Sequence, residues 1–363
     1  MLLRLARPAA ALGLAAALVA AVLLALGASP LAALGALGEG AFGNWLAATD
    51  TLVKTTPLVF TGLAVAIAFR GALWNIGAEG QLVMGALAAG ACGLALEGWP
   101  RPIGVALVLA AGAAGGALWG GVCGWLRERR AVSEVISTIM LNFVAAEILS
   151  YAVHGPLMEP GLGYPESAPI ARAAELWTFA LPSRLNAGML LAVLLAVAAW
   201  LWMFHSRRGF ELRAMGLNRR AAAFFRIPVA RLGIAAMALS GALAGVGGAV
   251  QVSAITHRLY ESFSPGWGYE AIAVALVARL NPLAVLPAAL LFGALDNGAQ
   301  AMQRAHGVSP ELVQVIQAVV ILVLLVFDTP AWAGLRIAKG DLASSPALAV
   351  GAETVAGGGG GDA

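Results

Sequence analysis

The sequence predicts an all-α polytopic membrane protein of about ten transmembrane helices, some of them short or broken, with the N and C termini cytoplasmic. Three observations carry that prediction. Hydrophobic residues fill 60% of the 363 positions and charged ones 11%, with a mean hydropathy of +0.85, whereas a soluble domain carries about a quarter charged residues. Apolar runs recur along the chain, most of them long enough to cross about 30 Å of hydrocarbon. The basic loops between the runs fall on one side when the runs are counted alternately, and such loops are retained inside.

Residues 205 to 231, HSRRGFELRAMGLNRRAAAFFRIPVAR, anchor the topology. They hold seven arginines (Arg207, Arg208, Arg213, Arg219, Arg220, Arg226, Arg231) against one acid, Glu211, between two long apolar runs. That charge places the loop in the cytoplasm. Ala214, Leu217, Ala221, Phe224 and Phe225 recur at roughly helical spacing, which predicts a short amphipathic helix along the membrane surface, resting on anionic lipid or offered to a partner protein.

In chain order, the run 9 to 28 is expected as a retained first helix rather than a cleaved signal peptide, because it is long enough to span. Residues 29 to 56, with Glu39, Asp50 and Lys54, then lie outside. A short run, 57 to 69, returns to Arg70, and 78 to 96 goes out to Glu97 and Arg101. The run 103 to 126 comes back to Arg127, Glu128, Arg129 and Arg130. Residues 131 to 151 lead to an acidic outer loop, 152 to 186, and 187 to 204 return to the arginine-rich loop. The run 232 to 254 goes out, 269 to 280 comes in to Arg279, 283 to 303 goes out and 311 to 327 comes in. The tail ends in GGGGGDA and reads as disordered. Two of the ten runs, 57 to 69 and 269 to 280, are too short to cross as straight helices. Broken helices are tolerated where protein or a wet cavity satisfies the freed backbone, and paired short segments point to a transport site.

Several chemistries are excluded by residue type. Lys54 and Lys339 are the two lysines, and neither stands in a G-x-x-x-x-G-K-[ST] context, so the chain has no P-loop of its own. Cys92 and Cys123 lie in apolar runs, too few for a disulfide or zinc framework. The four histidines, His154, His205, His257 and His306, show no metal spacing. The net charge of +3 belongs to cytoplasmic loops and gives no reason to expect nucleic acid. No serine, histidine and acid set and no carboxylate pair is placed for acid and base work, so no catalytic residue is assigned.

Three polar groups in apolar surroundings are candidates for function. Arg70 to Gln81 (RGALWNIGAEGQ) holds a cation, a carboxylate and two amides, which must pair or face water. Either they form a structural break or they meet the translocation path. In Ser133 to Phe143 (SEVISTIMLNF), Glu134, Thr138 and Asn142 share one helical face, which bonds a neighbouring helix or lines a wet path. Glu134 is also near enough to Arg127 or Arg130 to pair with one, and Glu147 has no evident partner. Trp267, Tyr269 and Glu270 lead the short run 269 to 280 and read as an interfacial anchor or a substrate contact. Ser240 to Ala249 (SGALAGVGGA) is a small-residue face that close helix packing explains, and Asp296 and Asn297 read as packing glue or pore lining.

At these stretches, together with Arg213 to Ala222 (RAMGLNRRAA) and Gly266 to Pro282, the chain resembles the permease subunits of ATP-binding-cassette importers of the simple-sugar, branched-chain amino acid and nucleoside branch, most of all the nucleoside-type permeases. The resemblance covers about residues 60 to 300. It implies a multi-pass subunit of the bacterial inner membrane, divided into 1–56 (first helix and outer segment), 57–338 (permease core) and 339–363 (tail). The arginine-rich loop is then the coupling helix, with Arg213, Gly216, Asn218, Arg219, Arg220, Ala221, Ala222 and Phe225 docking on a separate ATP-binding subunit, which holds the ATP. The family pattern places a glycine where this chain has Arg226. A second permease chain and an extracytoplasmic substrate-binding protein are implied as further partners. The substrate path is expected at Trp74, Asn75, Glu79, Gln81, Glu134, Thr138, Asn142 and Phe143, with Trp74 and Phe143 stacking on a base and the amides bonding base or ribose. Alternatives are a permease for a free sugar such as ribose or for branched-chain amino acids, and an ion-coupled secondary transporter with Glu79, Glu134 or Glu147 as ion sites.

Overall fold

The computed structural model describes residues 29–306 except 162, 180 and 181, together with the isolated positions 13, 17, 20, 24, 315 and 318. All of the architecture below belongs to one unit, Val19–Ala318; a second, Met1–Leu18 with Val319–Ala363, lies almost wholly outside the described residues. The expected spans 9 to 28 and 311 to 327, and the glycine-rich tail, fall there too. Among the described residues no strand occurs, only isolated bridges such as Met158 with Ser167. The chain is an all-helical polytopic membrane protein, and among the described residues six helices are long and apolar enough to cross a membrane and two shorter ones are apolar. These eight account for the remaining expected runs.

A helix that was not expected, α1 (Pro30–Phe42), opens with Pro30 in its first turn. It leads into α2 (Trp45–Arg70), capped by Asn44, whose Oδ1 accepts from Ala47 N at 2.8 Å. This corrects the reading of 29 to 56 as an outer loop and of 57 to 69 as a half-length run: α2 is one 26-residue helix through both. The polar stretch survives inside a helix because its hydroxyls return to carbonyls one turn earlier, Thr55 to Thr51 O (2.7 Å), Thr56 to Leu52 O (2.9 Å) and Thr61 to Pro57 O (2.8 Å). Lys54 pairs with Asp296 at 2.8 Å. Asn297 reads as glue: its Nδ2 donates to Gly40 O, Ala47 O and Thr51 Oγ1, tying α1 and α2 to the last described helix.

The helices α3 (Ala78–Leu94), α4 (Arg101–Arg130) and α5 (Glu134–His154) follow, then α6 (Ala187–His205), the short pair α7 (Arg207–Leu217) and α8 (Arg219–Phe224), and α9 (Val229–Gln251) with a π-turn over Val252–Thr256. The chain closes with α10 (Trp267–Val277) and α11 (Pro282–His306). The most extensive packing is of α4 on α9, with α3 against both. Its reason is glycine. A Cβ on Gly241 would run into the carbonyl of Gly116, one on Gly245 into that of Gly112, and one on Gly85 into Gly245 itself. Backbone therefore meets backbone along the seam, as the 240 to 249 face predicts.

The loops expected on one side gather at one end of the bundle. Arg219 pairs with Glu128, Arg127 with Glu134 at 3.1 Å, and Arg70 donates to the carbonyls of Leu280 and Arg279 at 3.1 and 3.3 Å. At the other end Arg101 donates to Glu175 O and Leu176 O, and Arg258 pairs with Glu159 at 2.9 Å.

Gly245→Val is expected to prevent close approach of α3, α4 and α9. Overpacking costs about 1–3 kcal/mol and more where backbone is the obstacle. The thermal unfolding midpoint of the detergent-purified chain should fall by several degrees, and an unchanged midpoint would refute the seam.

Candidate functional site

The true pair of broken helices is α3 and α10. Between Arg70 and Ala78 the chain runs non-helically, with Leu73, Asn75 and Gly77 buried, so α3 starts inside the bundle after an extended entrance. The 11-residue α10 likewise starts inside it, after the left-handed Gly266 (φ 109°). The two N-terminal ends meet. Glu79, in the first turn of α3, accepts the N–H of Gly268 on its Oε2 at 2.7 Å, and Gly268 sits so close that a Cβ there would strike the Glu79 backbone. A helix N-terminus leaves unpaired N–H groups and partial positive charge, and a carboxylate answers both. Glu79 is buried and serves two helix starts at once.

The amides of this region are committed to one another. Asn75 Nδ2 donates to Gln81 Oε1 (2.9 Å) and Ser240 Oγ (2.8 Å), Gln81 Nε2 returns to Asn75 Oδ1 (3.1 Å), and that oxygen also accepts from Gly77 N (2.9 Å). Ser240 Oγ passes its own proton to Ala64 O at 2.6 Å. Asn142 donates to Ile76 O (3.0 Å) and Tyr269 Oη (3.2 Å) and accepts from Gly80 N (2.8 Å). Thr138 bonds back to Glu134 O at 2.6 Å and packs beside Gly77. Asn75, Glu79, Gln81, Thr138 and Asn142 thus converge, all buried, on the extended entrance to α3. In this geometry the amides hold the break, and none is free to meet a base or ribose.

Glu134 stands apart at the basic end, paired with Arg127 and approached by the Trp74 N–H at 3.5 Å. Trp74 and Phe143 are exposed, as is Tyr269. The Trp74 ring meets Phe69 edge-on at 4.9 Å. Phe143 belongs to an exposed face of α5 that also carries Ile136, Met140, Glu147 and Tyr151. The exposed large residues of α4 and α6 (Leu107, Leu118, Val122, Leu190, Leu194, Leu201) are apolar. A carboxylate is costly against lipid, so the α5 face is the one suited to water or a partner chain.

The amphipathic-helix reading of 205 to 231 is corrected. Two helices stand there, capped by Ser206 and Asn218, whose side chains accept from Gly209 N and Ala221 N, both at 3.0 Å. The buried face is Glu211, Leu212 and Met215, while Leu217, Phe224 and Phe225 are 90%, 84% and 75% exposed. Gly216 lies against the Arg70 carbonyl, Arg213 stacks over Phe204 at 5.1 Å, Arg219 pairs with Glu128 and Ala222 is buried. These fasten the loop. Arg220, Ala221 and Phe225 face outward, and Arg226 takes the left-handed backbone (φ 60°) that suits glycine. Sequence reasoning missed Glu128 and Lys54. The one signal for Glu128 was an acid embedded in RERR opposite an arginine-rich loop; for Lys54 it was a lone cation in an otherwise acid-containing apolar bundle. Among the described residues no group of three or more His, Cys, Asp or Glu is placed to hold a metal ion.

Two broken helices that meet inside a bundle of membrane-crossing helices are the build of a multi-pass membrane transport subunit. The chain belongs to the family described as branched-chain amino acid transport system / permease component, whose model matches residues 47–325. It is 37% identical over 314 residues to the guanosine ABC transporter permease protein of Bacillus subtilis, covering 86% of this chain and 89% of that one. It is 36% identical over 314 residues to the glucose ABC transporter permease protein of Haloferax volcanii (84% and 82% covered), and 32% over 316 residues to a nucleoside ABC transporter permease protein of Lactococcus lactis (85% and 86%). No solved structure matches.

Removing the Glu79 acceptor leaves a buried N–H unpaired, at about 1–3 kcal/mol. Glu79→Ala should lose that stability in denaturant or thermal titration of the purified chain, and Glu79→Gln, which keeps an acceptor oxygen, should lose less than half of it. Equal losses would mean that charge, not the bond to Gly268, is what the site needs.

Proposed function

We propose that this chain is the transmembrane permease subunit of an ATP-driven ABC importer for nucleosides. It works by alternating access with a separate ATP-binding subunit, a second and related permease chain, and an extracytoplasmic substrate-binding protein. The observation that carries the reading is the occurrence of two sets of exposed residues: the aromatics Trp74, Phe143 and Tyr269 on the elements around the α3–α10 break, and the uncovered Leu217, Phe224 and Phe225 of α7 and α8 at the basic end. Apolar side chains this exposed in an arginine-rich loop call for a protein partner.

The chain carries no P-loop, so the ATP is held by the partner. Docking there moves α7, and α7 is fastened to the end of α2 through Gly216 on the Arg70 carbonyl and through Phe204, over which both Arg70 (5.8 Å) and Arg213 (5.1 Å) sit. The end of α2 runs directly into the extended segment that carries Trp74. Movement of the loop is thereby passed along α2 to the segment that carries Trp74.

The exposed rings favour a base over a free sugar. Ring faces stack on any base at about 1–3 kcal/mol each, whereas a sugar needs free hydrogen-bonding groups, and the amides here are already satisfied. Glu79 and Glu134 have protein partners, which weakens the ion-coupled reading; Glu147 alone stays open to it. The names of the Bacillus and Lactococcus relatives point to nucleosides and that of the Haloferax relative to glucose.

In cells with and without the chain, uptake of labelled guanosine should vanish on deletion and ignore excess ribose. Uptake that persists on deletion, or that ribose suppresses, overturns the nucleoside assignment. Trp74→Ala should raise the half-saturating concentration by roughly tenfold, in line with one lost stack, and unchanged affinity would remove Trp74 from the path. Phe225→Asp should abolish co-purification of the ATP-binding subunit while the permease remains monodisperse.

A further inference from the structure

At the basic end, the last turn of α6 and the first turns of α9 stand apart and leave a groove of about 460 Å³. Its floor and walls are apolar: Trp202 from α6, and Leu232, Ala235, Ala236 and Leu239 from α9. Its mouth is basic, with Arg208 of α7 and Arg231 of α9. Leu239 lies eight residues beyond Arg231 on α9, which at about 1.5 Å per residue puts the groove's far end roughly 12 Å from its mouth. The walls belong to membrane-crossing helices, so the groove opens at the depth of acyl chains while the two arginines stand at the level of headgroups.

Among the described residues nothing neutralises that mouth. Arg208 gives one nitrogen to Glu211 at 3.0 Å and keeps its other donors. Arg231 is exposed, and among the described residues no carboxylate pairs with it. A cationic mouth over an apolar slot is complementary to one kind of molecule in the bilayer, an amphiphile with an anionic headgroup. Guanidinium groups bind phosphate oxygens in a fixed fork geometry, and basic pockets between transmembrane helices select anionic lipid for this reason.

We propose that this groove is a binding site for an anionic phospholipid, whose phosphate lies between Arg208 and Arg231 and whose proximal acyl chain lies along Trp202, Ala235 and Leu239. The lipid fills the gap between α6 and α9 directly above α7. It therefore braces the joint between the bundle and the coupling loop, and the proposal stands whatever substrate the permease carries.

The test uses the full chain in nanodiscs of phosphatidylcholine with a minority of phosphatidylglycerol, with retained lipid identified by native mass spectrometry. The wild-type chain should retain phosphatidylglycerol over phosphatidylcholine by roughly 25-fold, as two interfacial arginines worth about fivefold each imply. Arg231→Ala should cut that preference about fivefold, and Arg231→Lys should keep most of it. Leu239→Trp, which fills the apolar end and leaves both arginines in place, should also abolish retention. Equal retention in Arg231→Ala and wild type overturns the proposal. So does full retention in Leu239→Trp, or displacement of the lipid by inorganic phosphate, which would make the mouth a simple phosphate site.

Discussion

Everything near the candidate path depends on one hydrogen bond, from the Gly268 N–H to the buried carboxylate of Glu79. Two helices that begin inside a bilayer each present several unpaired N–H groups, and water is not there to satisfy them. Facing their N-terminal ends at each other would ordinarily repel. A carboxylate on the first turn of one, aimed at the first turn of the other, turns the repulsion into attraction. Around that bond the amides of Asn75, Gln81 and Asn142 satisfy the extended backbone of the entrance to α3, and Ser240 links it to α9. The break is therefore a built feature whose every polar member has a partner, which is what allows it to sit in a membrane at all.

Two mechanical paths leave this point. One runs down α2 to Arg70, where Gly216 and the Arg70, Phe204 and Arg213 stack meet α7. The other runs through the Arg70 bonds to the carbonyls of Arg279 and Leu280, at the turn that joins α10 to α11. Both short helices are thus tied at the basic end to the same arginine. The glycine seam packs α3 in turn against α4 and α9, backbone to backbone. A rigid seam beside a jointed break is the arrangement that alternating exposure requires.

Much of the fold was legible from the sequence, and the failures have physical causes. The small residues of 240 to 249 announced the seam, and the short run ahead of Arg279 announced α10. The start of α2 was misread because Asp50, Thr51, Lys54, Thr55 and Thr56 look like a loop when counted singly. The hydroxyls of Thr55 and Thr56 bond within the helix, that of Thr51 reaches Ala41 O on α1, and Lys54 finds Asp296 on α11, pairings that sequence distance hides. In the candidate site the polarity of Asn75, Gln81 and Asn142 was visible but their partners across the break were not, because those partners lie on other elements. The arginine-rich loop was legible as a basic segment between two spans, but as one amphipathic helix and not as two capped ones. Its division at Asn218, and the outward turn of Leu217, Phe224 and Phe225, depend on a cap and on Gly216 packing that hydrophobic spacing alone does not reveal.

The measurement that bears most directly on the chain as an ATP-driven nucleoside permease is accumulation of guanosine in proteoliposomes holding the complete transporter, with the proton and sodium gradients collapsed. Accumulation that starts on addition of ATP and is absent with a non-hydrolysable analogue is the predicted result. Accumulation driven by an imposed ion gradient without ATP would contradict it and return Glu147 to consideration as an ion site.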